Sequence, residues 1–259
     1  MKKILFTLCL AAALTGARGQ IYIDSYRFGQ AVDDTSVVLL LNFNGANNST
    51  TFTDASTNNF TITRFGTPVI STTQSKFGGA SGLFDAQGDV ITAPSNTDFD
   101  MGSGNFTIEC WVYPTATNQR QIFVNRGNNA AQNDSSSFLF EITALNKARF
   151  LFVTDFGSPK VAEVVLSSGS ISQNTWTHIA VVRNGNTITL YINGTADGTA
   201  DVTGDSMNAV IQTLKIGDYT TAGDLEFLGY IDDLRITKGK ALYTANFTAP
   251  TSELTKITN

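Results

Sequence analysis

The chain has 259 residues, 42% apolar and only 15% charged, enough apolar matter for one large or two small cored domains. A mean hydropathy of −0.01 and this composition exclude a disordered chain and a polytopic membrane protein. Abundant Thr and Asn, with 22 Gly and only five Pro, point to many strands joined by tight polar turns.

Lys2 and Lys3 precede an apolar run over residues 4–14, and Ala17 and Gly19 follow two positions apart. This pattern predicts a secretory signal peptide over residues 1–19, cleaved after Gly19. The run is too short to span a bilayer. Cleavage removes Lys2, Lys3 and Arg18 from 17 basic residues and none of the 22 acidic ones, leaving a net charge of −8. That balance argues against nucleic acid, whose phosphates need a basic face. It also argues against an anionic membrane surface, so no membrane insertion is expected after signal cleavage. Only Cys110 then remains, and an intrachain disulfide is excluded. An acidic, Asp-rich surface leaves room for bound calcium.

Residues 20–32, with Tyr22, Tyr26 and Phe28, read as an N-terminal linker or docking strand. No linker interrupts residues 33–250, the expected domain, and 251–259 is a C-terminal tail. The near-continuous apolar run at 36–43 (SVVLLLNF) predicts a strand buried on both faces. Residues 60–65 alternate. Residues 81–85 lead through a turn at Gln87 and Gly88 into a strand at 89–91. Residues 106–113 (FTIECWVY) alternate most cleanly: Phe106, Ile108, Cys110 and Val112 on one face, Thr107, Glu109, Trp111 and Tyr113 on the other. Further strands are expected at 121–125, 138–143, 148–154 and 160–166. A hairpin over 176–183 and 187–193 is expected across Asn184-Gly185, with a second turn at Asn193-Gly194. Strands at 213–217 and 228–237 complete the set. About a dozen strands in one block predict an all-β, two-sheet antiparallel sandwich or jelly roll.

The segments KFGGASGLFD (76–85), NFTIECWV (105–112), WTHIA (176–180), LYING (190–194) and GYIDDLRI (229–236) occur in an order that resembles laminin-G-like domains. These belong to the concanavalin A-like lectin/glucanase superfamily of jelly rolls. The resemblance runs from about Ser36 to Pro250. It implies the fold and leaves function to the site, because lectins, adhesins, glycosidases and structural modules share this fold. A narrower likeness, in 22–29 and 237–250, is to laminin-G-like proteins of phage tails and virions. The signal peptide departs from that pattern.

Glucanases on this fold use two carboxyl groups and carry Glu-x-Asp-x-Glu or a close variant on one strand. No such triplet is present: Asp98-Phe99-Asp100 runs into a turn at Met101-Gly102-Ser103, and Asp224-Leu225-Glu226 is followed by Leu228. His178 is the only histidine, and no nucleophile elbow or metal-protease motif occurs. The chain therefore reads as a non-enzyme: a secreted module that binds a glycan or polysaccharide. The alternative is a structural, decoration or tail protein of a phage virion or an extracellular assembly, which contacts other structural proteins; a glycoside hydrolase is disfavoured by the missing acid triplet.

Four residues are candidate ligand contacts. Trp111 and Tyr113 share the more polar strand face with Glu109; an open face would give a sugar an apolar platform and an acceptor. His178 could donate to a ligand hydroxyl or bond to backbone. Alternation over 230–236 places Asp232 on one face with Tyr230, Leu234 and Ile236. A buried Asp needs several N–H donors or a cation. The resemblance implies one structural calcium there, with Asp232 and Asp54 as its acidic ligands.

Overall fold

The computed structural model describes residues 34–127, 136–154, 162–218 and 225–256. The expected signal segment 1–19 and the segment 20–32 lie outside the described residues.

Among the described residues fifteen strands form: β1 Val37–Leu41, β2 Thr63–Phe65, β3 Val69–Ser71, β4 Ser81–Phe84, β5 Val90–Ala93, β6 Phe106–Pro114, β7 Gln121–Gly127, β8 Ser136–Ile142, β9 Ala148–Val153, β10 Ala162–Leu166, β11 Thr177–Asn184, β12 Thr187–Ile192, β13 Thr195–Asp201, β14 Leu214–Ile216 and β15 Gly229–Lys238. The first sheet has eight strands, in the order β13-β12-β11-β6-β15-β4-β3 with β1 beside β15. The second has seven, in the order β10-β9-β8-β7-β14-β5-β2. All the paired strands within the sheets are antiparallel. Many neighbours are distant in sequence, as the crossovers of a jelly roll require. This is the expected all-β sandwich.

The inner faces meet in one core. Phe106, Ile108, Cys110 and Val112 of β6 enter it with Phe138, Phe140, Phe150 and Phe152 of the second sheet. Alternation in β6 thus predicts its inward face correctly. Asn193 and Gly194 both take positive φ (50° and 82°), the two left-handed residues of a type I′ turn. The other hairpin turns one residue later than the sequence suggests: Asn184 pairs with Thr187, and Gly185 with Asn186 forms the loop.

The strand β13 (TADGTAD) has no apolar alternation, because it is a largely exposed edge strand that touches the core through small Ala200. Only packing across the sheet reveals it. β15 carries the second departure. Its register to β6 jumps between Asp232, opposite Trp111, and Arg235, opposite Glu109. Asp233 takes a positive φ of 49° there, so a β-bulge inserts an extra residue. Ile231, Leu234 and Ile236 therefore enter the core, while Asp232 and Arg235 lie opposite Trp111 and Glu109. The expectation that Asp232 shares a face with Leu234 and Ile236 is corrected by that bulge.

Candidate functional site

The outer face of the first sheet gathers three of the four expected ligand residues around one another. His178 pairs with Trp111 and Ala180 with Glu109 across β11 and β6. The face is not open. After β15 the chain runs back over it as a strap: Ala241, Tyr243 and Phe247 pack on Ala180, Val182 and Tyr191, and Leu254 packs on Val37 and Leu40. Tyr243 and Phe247 stack with ring centroids 3.5 Å apart and planes 5° from parallel. Phe247 N–H donates to the Gly194 carbonyl at 2.8 Å. A Cβ on Gly194 would stand 2.0 Å from the Phe247 carbonyl oxygen, so only glycine admits the strap there.

Glu109, fully buried, sits at the centre. Its Oε1 accepts from Arg235 Nε at 2.9 Å and from a second guanidinium nitrogen at 2.6 Å. Its Oε2 accepts from the Tyr243 hydroxyl at 2.8 Å and lies 3.1 Å from His178 Nε2. Burial by itself would raise this carboxyl. The hydrogen bond to His178 and the Arg235 charge outweigh it and hold the carboxyl at about 2. Burial and the Glu109 charge push the Tyr243 hydroxyl up, and the same two causes push up the thiol of buried Cys110.

Trp111 is 4% exposed. Lys76 Nζ caps its ring at 3.9 Å from the centroid, and Phe77 meets it edge-on at 6.0 Å. His178 is fully buried between Trp111 at 5.3 Å and Phe247 at 5.8 Å. Tyr113, half-buried, packs against Trp176 and Tyr230 at 5.4 and 5.8 Å. The expectation that Glu109, Trp111 and His178 meet a ligand is therefore corrected. The polar side of β6 is polar because it holds a sealed ion network, and its aromatic rings pack beneath the strap and the 76–77 loop.

The two expected calcium ligands are also occupied. Asp232 Oδ2 accepts from the N–H groups of Lys76 and Phe77 at 2.8 and 3.1 Å, and Oδ1 from Asp233 N–H at 2.9 Å. Asp54 Oδ1 accepts from Leu40 and Ser56 N–H, and Oδ2 from Ser56 Oγ and Phe60 N–H, at 2.9–3.0 Å. Hydrogens thus point at every carboxylate oxygen of both residues. Asp232 stands at the bulge of β15 and Asp54 precedes β2, and among the described residues no group of three or more His, Cys, Asp or Glu is placed to hold a metal. This donor set does not fit calcium, which needs six or more converging oxygens. Burial raises Asp232 to about 7 and Asp233 beside it to about 6; the backbone N–H donors only partly offset it for Asp232, as Asn42 and the Leu254 N–H do for Asp233.

Open ground lies at the rim of the sandwich instead. A cleft of about 240 Å³ is lined by Asn96, Thr97, Asp100, Arg126, Val210 and Ile211 among others. Asn96 caps a single 3₁₀ turn over Thr97–Phe99 by accepting from Asp98 N–H, and this turn presents Asp100. Arg126, near the end of β7, is 1% exposed. One guanidinium nitrogen donates to Asp100 Oδ1 at 2.5 Å, and the other to the Asn96 and Val210 carbonyls at 3.1 and 2.7 Å. Its Nε is buried without a partner. Asp100 Oδ2 accepts no hydrogen bond from the described residues, and the Asp100 side chain is 24% exposed. Ile211 is 92% exposed. The sequence holds a faint signal for this cleft: a lone Arg inside the apolar strand 121–127, and Val210-Ile211 in a turn-rich stretch with no strand period. In the second sheet Glu141 is a further buried acid, in ion pairs with Arg120 at 2.5 Å and with Arg149.

The chain belongs to the concanavalin A-like lectin/glucanases superfamily, whose Laminin_G_3 model matches residues 85–244. Among curated proteins, none matches in sequence. Solved structures share the fold. The binding domain of botulinum neurotoxin serotype G is similar over 80% of this chain and 48% of its own length, with 16% identity and a TM-score of 0.59. The serotype D ligand binding domain in complex with N-acetylneuraminic acid is similar over 81% and 49%, with 17% identity and a TM-score of 0.60. The chain thus spans about half the length of these neurotoxin domains. Domain 4 of AbnA, an extracellular arabinanase of Geobacillus stearothermophilus in complex with arabinotriose, is similar over 79% of this chain and 93% of its own, with 19% identity and a TM-score of 0.54.

Proposed function

We propose that the chain is an exported, non-catalytic carbohydrate-binding module. The observation that carries this reading is the fate of two buried glutamates, one in each sheet. Glu109 is locked under the strap by Arg235, Tyr243 and His178, and Glu141 is buried between two arginines. Hydrolysis of a glycosidic bond needs two carboxyl groups flanking it, about 5–9.5 Å apart and open to the sugar. Neither acid can approach one. Recognition at the surface is what such a fold retains, and the sugar ligands of two structural neighbours support a glycan as the partner. The signal pattern of residues 1–19 supports export.

A glycan array followed by calorimetric titration tests the reading. At least one carbohydrate is expected to bind at roughly millimolar to micromolar Kd, the range of a single shallow site at about −4 to −8 kcal/mol. Incubation with that carbohydrate is expected to release no reducing ends. Release that disappears in Glu109→Gln would overturn the non-catalytic assignment.

A further inference from the structure

We infer that the rim cleft between the Asn96–Asp100 turn and Val210-Ile211 is the ligand site, and that it takes a single ring of a neutral sugar. The inference rests on the carbohydrate-binding reading and adds place and ligand class to it.

Three features of the cleft converge. The first is an acceptor: Asp100 is fixed through Oδ1 by Arg126, and Oδ2 is unspent. A fixed carboxylate with a free oxygen accepts hydroxyl hydrogens strongly, because the acceptor is charged and needs no reorganisation. The second is an apolar wall: Val210 is held in place by the bond from Arg126 to its carbonyl, and Ile211 projects almost fully into solvent. A sugar ring presents hydroxyls at its edge and C–H groups on its faces, so an acceptor beside an apolar wall matches it. The third is a rigid floor: Arg126 is fully buried and ties Asp100, Asn96 and Val210 to one guanidinium. Both walls of the cleft are thereby fixed relative to each other before a ligand arrives.

Size and charge narrow the class. About 240 Å³ falls below the lower bound of about 300 Å³ for drug-sized sites, so one ring enters and the rest of an oligosaccharide stays outside. The cations beside the cleft are committed. Arg126 is bonded to Asp100 and two carbonyls, and Lys238 Nζ donates to the Thr97 carbonyl at 2.8 Å. Asp98 lies within the same turn, which Asp100 ends. A sugar carboxylate would meet acids and no available cation, so acidic sugars are excluded.

Titration of the intact domain with neutral sugars (glucose, galactose, mannose and arabinotriose) and with N-acetylneuraminic acid tests this, alongside three variants. A neutral sugar is expected to bind and N-acetylneuraminic acid is not. Asp100→Asn is expected to weaken binding about tenfold or more, the worth of a hydrogen bond to a charged group. Ile211→Ser, at a position too exposed to affect folding, is expected to weaken it severalfold with an unchanged melting temperature. Leu145→Ser, equally apolar and 76% exposed on another loop, is expected to leave the affinity unchanged. Neutral-sugar binding that neither Asp100→Asn nor Ile211→Ser weakens would overturn the cleft assignment while leaving the binding module intact. Tighter binding of N-acetylneuraminic acid would overturn the ligand class. No binding by any sugar on the array would overturn the module reading itself.

Discussion

Glu109→Gln tests whether the outer face of the first sheet is sealed. The substitution keeps the shape and removes the charge, leaving Arg235 buried at 6% exposure without its counter-ion. Removing one member of a buried pair costs about 3–5 kcal/mol. Linkage gives an independent figure. Holding the Glu109 carboxyl at about 2 instead of 4.5 corresponds to about 3 kcal/mol at neutral pH. The two routes agree, and at about 2–4 °C per kcal/mol for a chain of this size the melting temperature should fall by about 6–20 °C. Tyr243→Phe removes a single hydrogen bond to the same carboxylate and should cost less, about 1.5–3 kcal/mol. Urea and thermal unfolding measure both, and limited proteolysis should cut within 240–250 more readily in the Glu109 variant. A Glu109→Gln protein that melts within 2 °C of the wild type would refute the sealed network and return Glu109 to the list of surface ligands.

The pH dependence of stability should be bell-shaped. Glu109 has a lowered carboxyl, so its contribution is present above about 4.5 and lost as pH falls towards about 2. Asp232 and Asp233 have raised carboxyls, so their contribution is present below about 4 and lost as pH rises through about 6 to 7. The urea midpoint should therefore peak near pH 5 and fall on both sides; a midpoint that climbs steadily to pH 8 would contradict the raised pair. Chelation should leave the melting temperature unchanged, because N–H groups already occupy the oxygens of Asp54 and Asp232. A drop of several degrees in chelator, reversed by added calcium, would contradict that.

Much of the sandwich was legible in the sequence because its strands are built from local alternation. Residues 106–112 display their core face at four alternate positions, and Asn193-Gly194 states its turn through two residues that tolerate positive φ. What stayed hidden depends on distant chain. The Glu109 face reads as solvent-facing until Tyr243 and Phe247 are laid over it, more than 130 residues further along. Asp232 reads as a core-facing acid because alternation cannot register the extra residue of a bulge. The rim cleft was the least legible part, since Asp100, Arg126 and Ile211 come from three unconnected segments and none belongs to a motif.

Backbone amide shifts of isotope-labelled protein, followed during titration with the tightest-binding neutral sugar from the array, test the central claim most directly. The account predicts perturbations concentrated at Asn96 to Asp100, Arg126 and Ala209 to Ile211, with Glu109, Trp111 and His178 unmoved under the strap. Perturbations centred on Trp111, His178 and Tyr243, with a silent rim, would contradict it.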